Sequence, residues 1–320
     1  MEKKILGIDL GGTSAKCAIL TEQGDIQVKW SVPTDSSESG VHIVPNLIES
    51  IHHHLELYQM TPADFLGIGM GSPGTIDHEA GTVVGAYNLN WSEVQPIREQ
   101  FQEAFALPFY IDNDANVAAL GEQWLGAGDQ EDNVVFVTLG TGVGGGLVVD
   151  GQLLRGASGA AGEIGHITVD EQGYECTCGK KGCLETVASA TGIVHLSRDL
   201  SEEFAGESEL KSLIDDGEDI NAKTVFDCAK ADDKFANLVI EEVINYLALA
   251  LGNITNLLNP SIIVLGGGVS HAGDFLIDKV HAKLKGYIFP TIRDTVTVRQ
   301  AQLGNDAGII GAASLVLKDM

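Results

Sequence analysis

The chain has 320 residues, 44% of them hydrophobic, and sets 45 acidic against 19 basic side chains for a formal net charge of −26. That length exceeds one ordinary compact domain and points to two lobes. The acidity opposes phosphate backbones and anionic membrane surfaces, so neither nucleic acid nor a membrane is an expected partner.

The N-terminus runs straight from Met1-Glu2-Lys3-Lys4 into a short apolar segment, without the long apolar core of a signal peptide. No uninterrupted apolar stretch is read as membrane-spanning. Five cysteines, three of them clustered, favour a reducing cytoplasm over a disulfide framework. A cytoplasmic protein is expected.

Lys4–Leu10 reads as a short apolar strand, Gly11-Gly12-Thr13-Ser14 as a turn, and Lys16–Leu20 and Ile26–Ser31 as further strands. Asp9 at the strand end, followed by two glycines and a hydroxyl, can offer backbone N–H groups to phosphate while its carboxylate faces a hydrated Mg2+. A plain structural turn with an incidental Asp is the blander reading. Val41–Tyr58 has helical periodicity, with His52-His53-His54 as a solvated face. Phe65–Met70 reads as a buried strand ending in the turn Gly71-Ser72-Pro73-Gly74, where ligands tend to meet sheets. Asn88-Leu89-Asn90-Trp91 offers amides beside an aromatic, suited to a polyhydroxylated ligand or to a simple Asx-turn.

Phe109–Ile111 is a third strand, leading into Asp112-Asn113-Asp114-Ala115-Asn116 and a helix over Ala115–Trp124. Two acids and two amides at a strand-to-helix junction are costly to desolvate unless they bind something. One Asp can serve as a cap; both need not. Val134–Leu139 runs into Gly140-Thr141-Gly142-Val143-Gly144-Gly145-Gly146, and Leu147–Val149 resumes as a strand. This echoes the opening strand, glycine turn and strand.

Gly162-Glu163-Ile164-Gly165-His166 is followed by Cys176-Thr177-Cys178-Gly179-Lys180-Lys181-Gly182-Cys183-Leu184-Glu185. A C-x-C-x4-C spacing with a histidine upstream supplies four ligands to one tetrahedral ion, a Cys3His zinc site formed by His166, Cys176, Cys178 and Cys183. Glu163 and Glu185 sit at its two ends. The knuckle is either a rigid substrate-binding wall or only a loop staple.

Leu200–Asp219 is acidic and turn-rich, with weak helical character. Val225–Ala229 and Phe235–Leu258 read as helices, Ile262–Leu265 as a strand ending in Gly266-Gly267-Gly268, and Gly304–Val316 as a helix apolar on most sides and so packed between layers. Three apolar strands thus run into glycine turns, and convergence of these around one nucleotide is the economical explanation. The candidate contacts are Asp9, Gly11, Gly12, Thr13, Lys16, Gly140, Thr141, Gly142, Gly144, Gly266, Gly267 and Gly268. No P-loop sequence is present.

Together Asp9-Leu10-Gly11-Gly12-Thr13, Asn113-Asp114-Ala115-Asn116, Leu139–Gly146, Glu163-Ile164-Gly165-His166 and the Cys176–Glu185 run resemble the ROK family (repressors, open reading frames and kinases), nearest its bacterial glucokinases of Gram-positive type. The likeness spans nearly the whole chain. It implies an α/β actin-like ATPase (ribonuclease H-like) fold of two lobes, each with a five-stranded mixed sheet, around a cleft. The expected boundaries are 1–115, completed by a C-terminal helix over about 304–320, and 116–303 with the zinc knuckle at 163–185. It implies ATP-dependent phosphorylation of glucose at its 6-hydroxyl, with Mg2+ and a structural Zn2+. Asp114 matches the family's catalytic base. Asn113, Asp114, Glu163, His166 and Glu185 match its sugar ligands, with Gly71 and Asn88 as additions, and a homodimer is implied. A kinase for another hexose (N-acetylmannosamine, N-acetylglucosamine, fructose or allose) is the nearest alternative. A non-catalytic sugar sensor is the next, disfavoured by the short segment before Asp9 and by the presence of both acids.

Overall fold

The computed structural model describes residues 2–318, so the expected ranges that reach Met1 and 319–320 extend beyond the described residues. Two five-stranded mixed sheets organise the chain. The first contains β1 (Lys4–Leu10), β2 (Ser14–Thr21), β3 (Ile26–Pro33), β4 (Phe65–Ser72) and β7 (Phe109–Asn113) in the order β3-β2-β1-β4-β7. A short hairpin, β5 (Thr75–Asp77) with β6 (Thr82–Val84), rises beside it. The second contains β8 (Val134–Leu139), β9 (Val143–Val149), β10 (Gln152–Leu153), β11 (Ile262–Gly266) and β12 (Thr297–Gln300) in the order β10-β9-β8-β11-β12. Each sheet pairs its first three strands antiparallel and its last three parallel. The two halves therefore share one topology, and the architecture is the actin-like α/β arrangement of two sheets.

Burial explains the strand chemistry. β1 is apolar on both faces, and five of its seven residues are buried; β3, at the sheet edge, exposes alternate residues. The helix Ile43–Leu57 covers the first sheet with Ile43, Val44, Leu47, Ile51 and Leu55. His52 and His54 on its other side stack on Phe105 and Trp30, at 4.5 and 4.0 Å between ring centroids. The helix Lys234–Leu258 is long and apolar enough to cross a membrane by length and composition alone, although Glu241 and Glu242 interrupt its apolar run. Here Val239, Val243, Leu247 and Leu251 are buried in the core against the second sheet.

Several boundaries differ from expectation. Gly71 and Ser72 belong to β4, and the glycines 144–146 lie inside β9, paired with β8, so each turn is shorter than its glycines suggest. The helices Ile97–Phe105, Ala190–Glu203 and Asp274–Leu284, and β12, are additional elements. The acidic 200–219 segment contains the end of one helix and the short helix Glu209–Asp215.

Two helices join the halves. Asp114–Leu125 leaves the end of β7, and Ala307–Lys318, with every residue from Ala307 to Val316 buried, returns to pack on it and on β1 and β4. Contact is backbone to backbone. A Cβ on Gly311 would lie 1.6 Å from Val117 O, and one on Gly69 in β4 only 1.7 Å from Ala312 O. Neither neighbour is a side chain that could swing away. Gly311→Ala should therefore cost at least about 3 kcal/mol of stability, beyond the usual overpacking range of roughly 1–3 kcal/mol. Chemical denaturation midpoints check this, and a change within about 0.5 kcal/mol, the ordinary surface range, would contradict the contact.

Candidate active site

Asp114 is the first residue of the helix Asp114–Leu125. Asn113, the last residue of β7, caps that helix: its Oδ1 accepts from the Ala115 N–H at 2.9 Å, and Asp114 Oδ1 accepts from the same N–H at 2.8 Å. The cap belongs to Asn113. Asp112, the other candidate, is fully buried and bound to Arg155, whose Nε donates to its Oδ2 at 2.7 Å.

Three adjoining hollows share Asp114. The first, about 450 Å³, is bordered by Asp9, Lys16, Thr138 and the Gly266–Gly268 turn. The second, about 190 Å³, is bordered by Asn113, Asn116, Gly144, Gly145 and Glu163. The third, about 400 Å³, is bordered by Gly140, Gly142, Gly144 and Glu185. Among the described residues Asp114 is thus the one acid that borders all three. Its carboxyl is reached by solvent through the cleft but ringed by protein, and burial raises it above the ordinary carboxylate range against the pull of the Ala115 N–H. Asp9 is raised too, first by burial; Lys16, 3.5 Å away, opposes this, and the charge of Asp114 adds to it. Two acids that face one cleft and resist ionising together are relieved by a cation or by a proton donor. Gly308 makes room for Asp9, since a Cβ there would lie 2.5 Å from its Cγ.

Glu185 Oε2 accepts from the Val143 N–H at 3.0 Å, fixing the acid against the turn that opens β9. Glu163 Oε2 lies 3.9 Å from His166 Nε2. The other ring nitrogen of His166, Nδ1, faces Cys176 Sγ at 3.6 Å, and Cys178 Sγ lies 3.6 Å from Cys183 Sγ. The ligand atoms of His166, Cys176, Cys178 and Cys183 all lie within 4.8 Å of one another. Sulfurs held tetrahedrally at a Zn–S distance of about 2.3 Å stand about 3.8 Å apart, so the donor set and its spacing fit Zn2+. Burial, followed by the Cys178 and Cys176 sulfurs, pushes the Cys183 thiol up to about 12, whereas the Lys180 N–H draws Cys178 down.

Of the expected nucleotide contacts, Asp9, Lys16, Gly140, Gly142, Gly144 and Gly266–Gly268 border the hollows. Gly11, Gly12, Thr13 and Thr141 do not. The Gly11 N–H closes its own turn on Ser14 O at 3.1 Å, and Thr141 O accepts from Thr191 Oγ1 at 2.8 Å. Gly71 also stands apart from the hollows: a Cβ there would lie 2.4 Å from Val117 Cγ2, so its smallness serves packing on the helix Asp114–Leu125. Asn88 lies against Gly12.

Sequence reasoning missed Glu122, which borders the first hollow and is fully buried. Its carboxylate accepts from the backbone N–H groups of Ala127, Gln302 and Leu303 at 2.8 to 3.1 Å, holding the segment after β12 to the Asp114 helix. A glutamate among apolar helix residues was the available signal. Also missed was a hollow of about 340 Å³ behind Gly268 and His271, lined by Phe226, Val269, Ala272 and Lys223.

A profile of the ROK family matches residues 5–319. A glucokinase of Halalkalibacterium halodurans is 45% identical over 97% of this chain and 94% of that protein. A solved ROK family glucokinase from Streptomyces griseus, in complex with glucose and AMPPNP, is 31% identical, with a TM-score of 0.76, over 98% of each chain. A xylose repressor of Caldicellulosiruptor bescii is 30% identical over 99% of this chain and 78% of its own length.

The raised Asp114 carboxyl has a consequence for stability. Below the unfolded pKa both states are protonated and the group contributes nothing. As pH rises above it, the unfolded chain ionises more readily than the fold, so Asp114 costs stability. Asp114→Asn should therefore melt at a higher temperature than wild type at pH 7, and the difference should vanish near pH 3. A lower melting temperature at pH 7 would contradict the assignment.

Proposed function

From the premise that this chain belongs to the ROK family, we propose that it is a glucokinase, transferring the γ-phosphoryl group of ATP to the 6-hydroxyl of glucose. The observation that carries the mechanism is the position of Asp114 where all three hollows meet.

The second hollow holds the sugar, bounded by Asn113 and Glu163, with His166 and Glu185 reached along the knuckle; its acids suit hydroxyl donors. The first hollow takes the phosphates, with Lys16 and the N–H groups of the Gly266–Gly268 turn as positive partners in an otherwise acidic protein. The apolar space beside Phe226, Val269 and Ala272 suits the flat adenine base. Asp114 accepts the proton of the 6-hydroxyl as its oxygen bonds to the γ-phosphorus, and the β–γ bridging oxygen departs with ADP. The raised carboxyl favours accepting that proton late in the transfer. Most of the remaining acceleration comes from alignment of the two substrates across the cleft.

Asp9 would hold Mg2+ through water, and the ion would supply positive charge to the phosphates. His166, Cys176, Cys178 and Cys183 would hold Zn2+, which would supply a structural crosslink. His166, whose Nδ1 faces the Cys176 sulfur and would ligate the metal, presents Nε2 towards Glu163 and so towards the sugar. Clustered thiols kept reduced support a cytoplasmic enzyme. Leu257 and Phe289 are exposed apolar side chains, and the Phe289 N–H donates to Asn256 Oδ1, next to Leu257 in the chain, at 2.8 Å; this apolar surface supports a homodimer.

A coupled ADP-release assay with Mg-ATP and a panel of glucose, mannose, fructose, N-acetylglucosamine and N-acetylmannosamine tests the reading. Glucose should dominate, and Asp114→Asn should lower turnover by roughly 10²- to 10⁴-fold while glucose binding survives. An N-acetylated winner would replace the substrate; binding without turnover in wild type would favour a sensor. Zinc has its own check. Chelation should release about one zinc per chain and lower the melting temperature, while most secondary structure persists because the sheet cores are apolar. Unchanged stability after complete metal loss would reduce the knuckle to an unneeded loop.

A further inference from the structure

The loop between β10 and Glu163 is anchored on both halves of the chain. At its start Arg155 Nε donates to Oδ2 of Asp112, a fully buried residue of β7 in the first sheet, at 2.7 Å. In its middle Gly159 sits against the hairpin of that same half, where a Cβ would lie 3.1 Å from Ile76 O in β5. Near its end Gly162 packs on β9 of the second sheet, where a Cβ would lie 2.9 Å from Gly145 O. The Ala161 N–H donates to Arg155 O at 3.1 Å and so ties the far part of the loop back to Arg155. Residues from Gly159 to Glu163 border the second hollow, which Asn113 and Asp114 border as well.

Asp112 engages both of its oxygens at this junction. Oδ1 accepts from the Asn113 N–H and from Asn116 Nδ2, each at 2.8 Å, within the turn that opens the Asp114 helix. Oδ2 accepts from Arg155. His78 Nδ1 lies 3.7 Å from Oδ2, but its nearer partner is Ile111 O at 3.1 Å. One carboxylate therefore holds the start of the helix that carries Asp114 on one side and the loop that leads to Glu163 on the other. Stripping a carboxylate of water is costly, and a buried ion pair is often no more stabilising than an apolar contact of the same size. What a charged and directional pair adds is a defined geometry between the two parts it joins.

We propose that Arg155 is a positioning residue for the sugar: through Asp112 it sets the loop 155–163, and with it Glu163, in register with Asn113 and Asp114 around the second hollow. Arg155 touches neither reacting group; it acts through the carboxylate it binds and the backbone it anchors. This inference rests on the sugar-kinase reading, which turnover of glucose by the wild-type protein tests separately.

The experiment compares wild type with Arg155→Met, measuring the KM for glucose, the KM for ATP and the Kd for glucose without nucleotide. Glucose KM and Kd should rise roughly 10- to 100-fold while the KM for ATP stays within about 2-fold, because the loop borders only the second of the three hollows. Should Arg155→Met fail to fold, because Asp112 is left buried without its guanidinium, the double variant Asp112→Asn/Arg155→Met removes that charge too and gives the same comparison. A pair that only stabilises the fold would lower the active fraction, and so the apparent kcat, with both KM values unmoved. That outcome, equal rises in both KM values, or no change at all overturns the proposal while leaving the kinase assignment intact.

Discussion

The structure depends on the backbone contact between two helices that belong to opposite ends of the chain. Asp114–Leu125 and Ala307–Lys318 approach so closely that Gly311 touches Val117 O, and Gly121, whose Cβ would lie 2.2 Å from Ala307 O, repeats the contact one turn further along. Only glycines permit this spacing. It places the N-terminus of the first helix, with Asp114, where the ends of both sheets open onto one cleft. The same approach sets the beginning of the second helix against Asp9, because Gly308 leaves space for that carboxylate. Packing with no direct chemical role thus determines the separation of the two cleft acids.

Electrostatics follow from that placement. A chain of net charge −26 is a poor host for a polyphosphate. The cleft answers locally, with Lys16 beside Asp9, the backbone of a glycine turn and the N-terminus of the Asp114 helix. Burial keeps Asp9 and Asp114 reluctant to ionise. Buried Glu122 shows another solution to the same problem: an acid with no ion pair among the described residues, satisfied by backbone N–H groups that order the loop beside the cleft. The Cys3His cluster is a third, where four potential metal-ligating atoms converge beside glycines at 179 and 182 that take positive φ.

Much of this was legible in the residues. The C-x-C-x4-C spacing named four ligands that the fold brings together, because so short a segment has few ways to arrange its sulfurs. The long apolar strands were legible because both faces are buried. The helix Ile97–Phe105 carried a readable signal, Ile97, Phe101 and Phe105 one turn apart, diluted by polar neighbours. The lengths of the glycine turns were less legible. A glycine inside a strand and a glycine in a loop look alike, and Gly71 and Gly144 are distinguished only by what lies opposite them: Val117 for one, and Thr138 with Ala115 for the other.

The sequence by itself determined the local chemistry: where strands end in glycines, which residues can ligate a metal, and that acids and amides crowd the junction between β7 and the helix after it. These depend on neighbours within a few residues, whose conformational preferences are set by sterics and hydrogen bonding along the chain. Tertiary structure alone decided which of those ends share a cleft. It gave the cap to Asn113 rather than Asp112 and turned Asp112 inward to Arg155. It made Gly71 a packing residue and Glu122 a clamp. Each of those roles is assigned by a partner more than a few residues away, and long-range packing, not local preference, chooses such partners.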